Sequence, residues 1–129
     1  MTDAPGGGTR VAVLAQDLVW RERLAAAVER AGAEALRLRD TDGLDRVLGS
    51  VRFVIVDLAA TSYDPFAAIE RASGSDARVL AAGPHDDAAL RTAARAHGAE
   101  RVIAYRKLFA DGPSTVAAWL AGGVRPVSS

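Results

Sequence analysis

Cysteine is absent from this chain of 129 residues, so neither disulfides nor thiolate metal sites can form. The two histidines, His85 and His97, are too few to make a transition-metal site on their own. The 16 basic and 16 acidic residues cancel, which gives no general attraction to nucleic acid or to an anionic membrane. The N terminus lacks the pattern of a secretory signal, and no apolar run approaches the roughly 20 residues of a membrane helix. These absences predict a soluble, cytoplasmic protein that binds neither nucleic acid nor membrane.

Recognisable catalytic motifs are also missing. No glycine fingerprint for dinucleotides follows an apolar run, and nothing resembles the nucleophile elbow of a hydrolase. The glycines at 6–8 precede the first apolar run and have no lysine beside them, which argues against a phosphate-binding loop. We therefore expect no enzymatic activity and no cofactor.

The most informative stretch that is present is an apolar, β-branched run at 52–58 with one carboxylate, Asp57. Such a run is typical of a strand that is covered on both faces, as in the middle of a parallel sheet. An acid at the carboxyl end of that strand points into the crevice where open α/β sheets bind ligands. Taken alone, Asp57 is better explained as a turn former or a helix cap, so its surroundings decide its interpretation.

Strand and helix patterns alternate along the chain. Strands are predicted at 11–15, 34–39, 52–57, 79–82 and 102–105. Helices are predicted after Asp17, from Thr41 or Asp42, from Pro65, around Asp86 and Asp87, and, after the break at 112–114, over Val116, Trp119 and Leu120.

This alternation predicts a three-layer, doubly wound α/β fold with a parallel sheet of five strands and with five helices. The second strand has one wetter face while the first and third are dry, which favours the flavodoxin-like order 2-1-3-4-5. In that order the ligand crevice lies between strands one and three, lined by the residues after Ala15 and by Asp57. We expect a flexible leader at 1–9, one domain at 10–121 and a flexible tail at 122–129.

From Arg10 to Leu120 the pattern resembles the CheY-like receiver domain of two-component response regulators. The apolar strand that closes on Asp57, the helix-ending Gly32 and the Gly98-Ala99 pair before the fifth strand carry this resemblance. It implies that Asp57 is the position that accepts a phosphoryl group from a histidine kinase. It also implies an acidic pair after strand one that holds Mg²⁺, a Ser or Thr after strand four and a Lys after strand five.

Most of that implied set is missing from this chain. The acidic pair falls on Ala15 and Gln16, the hydroxyl position on Gly83, and the lysine position on Tyr105. Because phosphoryl transfer depends on positioned cations, we expect phosphorylation of Asp57 to be negligible. Two rescues are conceivable: Asp17 could swing into the pocket although it is well explained as a helix cap, and Arg106 or Lys107 could supply the lost cation.

A basic and apolar cluster late in the chain suggests an interaction face around the fourth helix, fifth strand and fifth helix. A solvated surface explains the charges slightly better, whereas a docking face would suit an acidic partner or a second copy of the chain. The predicted face consists of Arg91, Arg95, Arg101, Arg106, Lys107, Leu108 and Phe109.

Three hypotheses follow. The first is a pseudo-receiver that signals through phosphorylation-independent protein–protein interaction. The second is an atypical response regulator that is still phosphorylated on Asp57, with Mg²⁺, in a phosphorelay. The third is a small-ligand-binding domain that uses the same crevice, with a contact between Asp57 and His85, which follows the fourth strand.

Overall fold

The computed structural model describes residues 9–84 and 88–122 of the chain. Within these residues the strands are β1 (Arg10–Leu14), β2 (Glu34–Leu38), β3 (Phe53–Asp57), β4 (Arg78–Gly83) and β5 (Arg101–Ala104). All neighbouring strands pair in parallel, in the order β2-β1-β3-β4-β5. The predicted sheet and its order are therefore confirmed.

The described residues also contain five α-helices, as predicted. These are α1 (Leu18–Arg30), α2 (Thr41–Val47), α3 (Pro65–Gly74), α4 (Ala88–His97) and α5 (Tyr105–Gly122), with a short 3₁₀ turn at Leu48–Ser50 after α2. Aspartates begin three of them: Asp17, Asp40 and Asp64 each accept backbone N–H groups of the first helical turn.

Apolar side chains cover the sheet on both faces. On one face Val11, Val13 and Ile55 pack with α1 and α5, whose largest buried side chain is Trp119. On the other face Ala12, Leu14, Val54 and Val56 pack with α2, α3 and α4. Because side chains alternate along a strand, each buried strand feeds both layers, which explains why its sequence is apolar at successive positions.

The last helix differs from its prediction. It begins at Tyr105, immediately after β5, rather than after the break at 112–114. The break is real but lies inside the helix: Asp111 has a non-helical backbone, with φ −149° and ψ 48°, and Pro113 follows in the first turn of the second segment. Tyr105, predicted as the end of the fifth strand, is therefore the first residue of α5.

Gly98 shows why a glycine precedes β5. Its φ of +125° lies in a region that side chains disfavour, and a Cβ atom there would come within 2.8 Å of Ser73 on α3. The turn ends α4 through the Gly98 N–H to Arg95 carbonyl and Ala99 N–H to Ala94 carbonyl bonds. The predicted leader, apart from Thr9, and the predicted tail, apart from Gly122, lie outside the described residues.

Candidate functional site

The site lies at the carboxyl end of β3, where Asp57 is the last residue of the strand. Asp57 pairs with Ala82 of β4, and the preceding Val56 pairs with Leu14 of β1. Since Val56 faces the layer that contains α3, the alternation of the strand turns the Asp57 side chain toward the layer that contains α1 and α5. Asp57 is only 1% exposed, so its carboxylate depends on protein donors.

Two donors reach the same oxygen of Asp57. The backbone N–H of Ala59 donates to Oδ1 at 3.1 Å, and the hydroxyl of Tyr105 donates to the same atom in a short hydrogen bond. Tyr105 stands at the position where the receiver resemblance implies a lysine. A neutral phenol at the start of α5 therefore contacts the carboxylate where the resemblance implies a cation.

The environment works against the ionised form of Asp57. Burial raises the pKa of Asp57; the hydrogen bonds from Tyr105 and Ala59 lower it, and the negative charge of Asp17 raises it, with a net upward shift. Burial, followed by the interaction with Asp57, also raises the pKa of Tyr105 above the ordinary range of tyrosine. The phenol therefore keeps its proton and acts as the donor in the pair.

Gln16 closes the loop between β3 and α3. Its Oε1 accepts the backbone N–H groups of Thr61 and Ser62 at 2.7 and 3.0 Å, and the Thr61 hydroxyl lies 3.4 Å away. The amide oxygen of Gln16 accepts these hydrogen bonds without adding a negative charge to the crevice, as a carboxylate would. The same bonds occupy the one side-chain oxygen that Gln16 brings to the crevice.

Tyr63 and Arg21 hold the main chain around the crevice, and neither was among the predicted site residues. The Tyr63 hydroxyl lies 3.1 Å from the Asp57 carbonyl oxygen and 3.2 Å from that of Leu14, so it ties β3 to β1. Arg21 donates to the carbonyl oxygen of Ala15 at 2.9 Å. A tyrosine shortly after the central strand and an arginine one turn into the first helix are the signals that would have identified them.

A cleft of about 460 Å³ opens above Asp57. One wall is Trp20, whose ring stacks on Tyr105 with centroids 3.7 Å apart and planes inclined by 16°. The cleft is lined by Gln16, Asp17, Trp20, Asp57, Ala59, Ala60, Thr61 and Tyr105. The structure thus brings together the predicted pocket residues Gln16, Asp17, Asp57 and Tyr105, and it adds Trp20, which was not among them.

These residues do not fit Mg²⁺, the ion that the receiver resemblance implies. Mg²⁺ demands near-octahedral oxygen ligands and usually takes one or two carboxylates from the protein. Ala15 has no donor side chain, the Gln16 oxygen is bound by the loop, and Asp17 Oδ1 accepts the Trp20 N–H at 3.1 Å as the cap of α1. Across residues 9–84 and 88–122, no group of three His, Cys, Asp or Glu side chains is arranged to hold a metal.

The other predicted pocket positions are Ala15, Gly83 and His85. Ala15 is fully buried directly after β1 and does not line the cleft. Gly83 is buried at the end of β4, and a Cβ atom there would meet Leu58 and Leu90 at ordinary contact distance, so space for a side chain exists. His85, and with it the predicted contact to Asp57, lies outside the described residues. His97 is distant from the crevice: it ends α4, where Nδ1 lies 2.5 Å from Glu70 Oε2 on α3 and the ring stacks on Phe66.

The predicted interaction face contains one error. Leu108, which we expected to be an exposed anchor, is 9% exposed and packs into the core between α1 and α5. The reason is that α5 begins at Tyr105, so that Leu108 falls on the inner side of the first helical turn and Phe109, next in the chain, falls outside at 73% exposure.

The basic residues of the same face are spread over several elements. Arg95 and Arg106 are exposed, Arg91 and Arg101 are partly buried, and Lys107 binds Asp111 one turn later at 3.3 Å. Neither Arg106 nor Lys107 lines the Asp57 cleft. The lining of the cleft therefore includes no cation from this face.

Among the described residues, no helix combines the length and apolar character that a bilayer crossing requires. No protein-family model matches the sequence, and a search of curated protein sequences finds no match either.

Similarity appears when the fold is compared with solved structures. A LuxR-family two-component response regulator from Aurantimonas sp. SI85-9A1 superposes with a TM-score of 0.76 at 20% identity, covering 90% of this chain and 87% of that chain. A Burkholderia pseudomallei response regulator with a phosphorylated aspartic acid and a calcium ion has a TM-score of 0.66 at 23% identity, covering 94% and 77%.

A third similar structure is an atypical orphan response regulator described with a phosphorylation-independent regulatory mechanism. Its TM-score is 0.61 at 16% identity, and the match covers 76% of this chain and 82% of that chain. The five parallel strands in the order β2-β1-β3-β4-β5, with five helices, match the fold of these structures. The chain therefore has the fold of a response-regulator receiver domain.

Proposed function

We propose that this protein is a pseudo-receiver: a receiver fold that does not accept phosphate on Asp57 and that signals by binding other proteins. The observation that carries the proposal is the hydrogen bond from Tyr105 to Asp57. It places a neutral donor where the receiver resemblance implies a lysine, and it occupies a carboxylate oxygen that is also bound by Ala59.

The charge balance of the crevice supports this proposal. A phosphoryl group adds close to two negative charges beside a carboxylate, and its transfer needs cations fixed around three oxygens. The cleft instead is lined by two acids, Asp17 and Asp57, with no lysine or arginine among its lining residues. Removing even one preorganised stabiliser typically costs about 2.7–4 kcal/mol of barrier, and this chain lacks both the metal ligands and the lysine.

The proposal includes the domain limits at 10–121 and an interaction face made by α4, β5 and α5, without Leu108. Its partners are proteins, with self-association through that face as one form. A cytoplasmic location remains a prediction from the sequence.

Intact-mass measurement after incubation with acetyl phosphate and Mg²⁺ tests the proposal. We expect no phosphoryl adduct on the natural chain. The matched control carries Ala15→Asp, Gln16→Asp and Tyr105→Lys, which restores the missing ligands and the lysine, and we expect that variant to gain an adduct. An adduct on the natural chain that disappears in Asp57→Ala would establish the atypical, phosphorylated response regulator instead.

The cleft itself favours a second candidate, a domain that binds a small ligand. Its volume of about 460 Å³ lies within the roughly 300–1,000 Å³ of known ligand pockets, and Trp20 and Tyr105 give it an aromatic wall. A thermal-shift screen of small metabolites tests this candidate, because a ligand that binds only the folded state raises the melting temperature. The shift should disappear in Asp57→Asn if the ligand occupies this cleft.

A further inference from the structure

A second concave surface lies beside the Asp57 cleft, between the start of α1 and the first segment of α5. We name it the α1–α5 groove, and its volume is about 370 Å³. It is lined by Val19, Trp20, Arg23, Tyr105, Arg106 and Phe109. The groove differs from the face predicted from the sequence, because α1 forms one of its sides and α4 contributes none of its lining.

Exposed apolar residues concentrate at this groove. Across the described residues the large hydrophobic side chains with high exposure are Leu18 at 61%, Val19 at 57% and Phe109 at 73%. Val19 and Phe109 line the groove, and Leu18 precedes Val19 in the first turn of α1. Contiguous apolar surface with a polar rim is typical of a protein interaction site, whereas single exposed hydrophobic residues need no explanation.

The charged side chains of the groove are of one sign. The Arg23 guanidinium lies 5.2 Å from the Trp20 ring centroid and 4.8 Å from that of Phe109, so the two rings hold its position. Stacking uses the flat faces of a guanidinium and leaves its in-plane N–H donors available for a carboxylate. No carboxylate lines the groove.

The arginines of the groove differ from an arginine elsewhere on the surface that forms salt bridges. Arg37 binds both Glu22 and Glu29, but in the part of the chain that the structure describes neither Arg23 nor Arg106 forms a salt bridge. The groove therefore offers fixed positive charge and exposed apolar surface together. Its electrostatic complement is an acidic segment that carries an apolar side chain.

We propose that the α1–α5 groove binds an acidic segment of a partner protein, with one apolar side chain seated against Val19 and Phe109 and a neighbouring carboxylate paired with Arg23 or Arg106. This inference rests on the proposed function, since it adds to a protein-binding pseudo-receiver a second binding surface, beside the α4–β5–α5 face, and the chemistry of the segment that binds there. A symmetric contact between two copies through the groove fits less well, because it would bring the arginines of both copies together with no lining carboxylate between them.

Amide chemical-shift mapping on the ¹⁵N-labelled chain of 129 residues tests the proposal. The probe is a blocked five-residue peptide with a central leucine and two glutamates on each side. We expect a Kd on the order of 1 mM. The largest shifts should fall on the groove residues and on the Trp20 indole, while the indole of Trp119, which is only 1% exposed, should stay unchanged. Peptides with lysine for glutamate, or with serine for leucine, should bind much more weakly.

Two variants locate the site, and a third serves as their control. Arg23→Gln and Phe109→Ser should each weaken peptide binding at least about fivefold, which corresponds to ~1 kcal/mol. Arg46→Gln, at an exposed position on α2 and outside both proposed binding surfaces, should leave binding unchanged. The amide spectrum of each variant away from the substitution confirms that the fold is kept.

Other outcomes overturn the proposal. These are the absence of shifts in the groove, equal binding of the lysine peptide, or a larger loss in Arg46→Gln than in Arg23→Gln. Analytical ultracentrifugation of the chain alone tests whether a second copy of the chain binds in the groove. A dimer that dissociates in the Phe109→Ser variant would assign the groove to that second copy. None of these results bears on phosphorylation, so the mass measurement on Asp57 tests the proposed function independently.

Discussion

Replacing Tyr105 with phenylalanine isolates the hydrogen bond on which the account of the crevice depends. The substitution removes the hydroxyl that donates to Asp57 and keeps the ring that stacks on Trp20. A hydrogen bond to a charged group contributes about 1.5–3 kcal/mol to stability, so we expect the free energy of unfolding to fall by that amount near neutral pH. Asp57 is nearly inaccessible to water, which leaves little scope for solvent to replace the lost donor.

The sign of the pH dependence follows from the pKa of Asp57. The Tyr105 bond lowers that pKa, so its removal raises the pKa further above the ordinary value. The variant is then most destabilised where the parent carboxylate is ionised. As the pH falls through the folded-state pKa of Asp57, the cost should shrink toward the roughly 0.5–1.5 kcal/mol of a bond between neutral groups.

Urea unfolding over a pH series provides the measurement, with Tyr63→Phe as the matched control. Tyr63 donates to main-chain carbonyl oxygens, which do not titrate, so its loss should cost about 0.5–1.5 kcal/mol at every pH. A double-mutant cycle of Tyr105→Phe with Asp57→Asn gives the coupling directly. The reasoning is refuted if the cost of Tyr105→Phe is independent of pH or equals that of Tyr63→Phe.

Further predictions concern stability around the sheet. Because burial raises the Asp57 pKa, the ionised carboxylate weakens the fold as pH rises through that pKa, and Asp57→Asn should gain about 0.5–2 kcal/mol at neutral pH in urea unfolding. Gly98→Ala should lose at least about 1–2 kcal/mol through its left-handed backbone and the contact with Ser73, whereas Gly74→Ala, in open space within α3, should gain about 0.5–1 kcal/mol. Gln16→Ala should cost ~1 kcal/mol and speed hydrogen exchange at the loop amides that Gln16 binds. An unchanged exchange rate there would contradict the role assigned to Gln16.

The fold was predictable because its signals are local and repeat. Apolar runs of strand length alternate with helical spacing, and parallel strands bring their carboxyl ends to one edge. These two signals are enough to predict that Asp57 lies beside the residues after β1. The cap role of Asp17 was also readable, since an aspartate directly before a helical pattern satisfies its first N–H groups. The start of α5 could not be predicted, because glycine and proline at 112–113 are compatible either with the start of a helix or with a kink inside one.

The chemistry of the site was predictable only as a list of missing groups. The absence of an acidic pair and a lysine could be read from Ala15, Gln16 and Tyr105. What occupies their place could not, since the Tyr105–Asp57 bond joins residues 48 apart and the Gln16 contact with Thr61 joins residues 45 apart. The orientation of Phe109, and with it the α1–α5 groove, depends on where α5 begins. The predicted helix began after the break at 112–114, whereas α5 begins at Tyr105.

The central claim is that the crevice around Asp57 lacks the metal ligands and the cation that a phosphoryl group requires. Titration with beryllofluoride, a phosphoryl mimic, in the presence of Mg²⁺ tests it most directly, with the backbone amide of Ala59 followed by NMR. We predict no saturable shift in the natural chain and a saturable shift in the variant with Ala15→Asp, Gln16→Asp and Tyr105→Lys. Saturable binding by the natural chain that is lost in Asp57→Asn would contradict the claim.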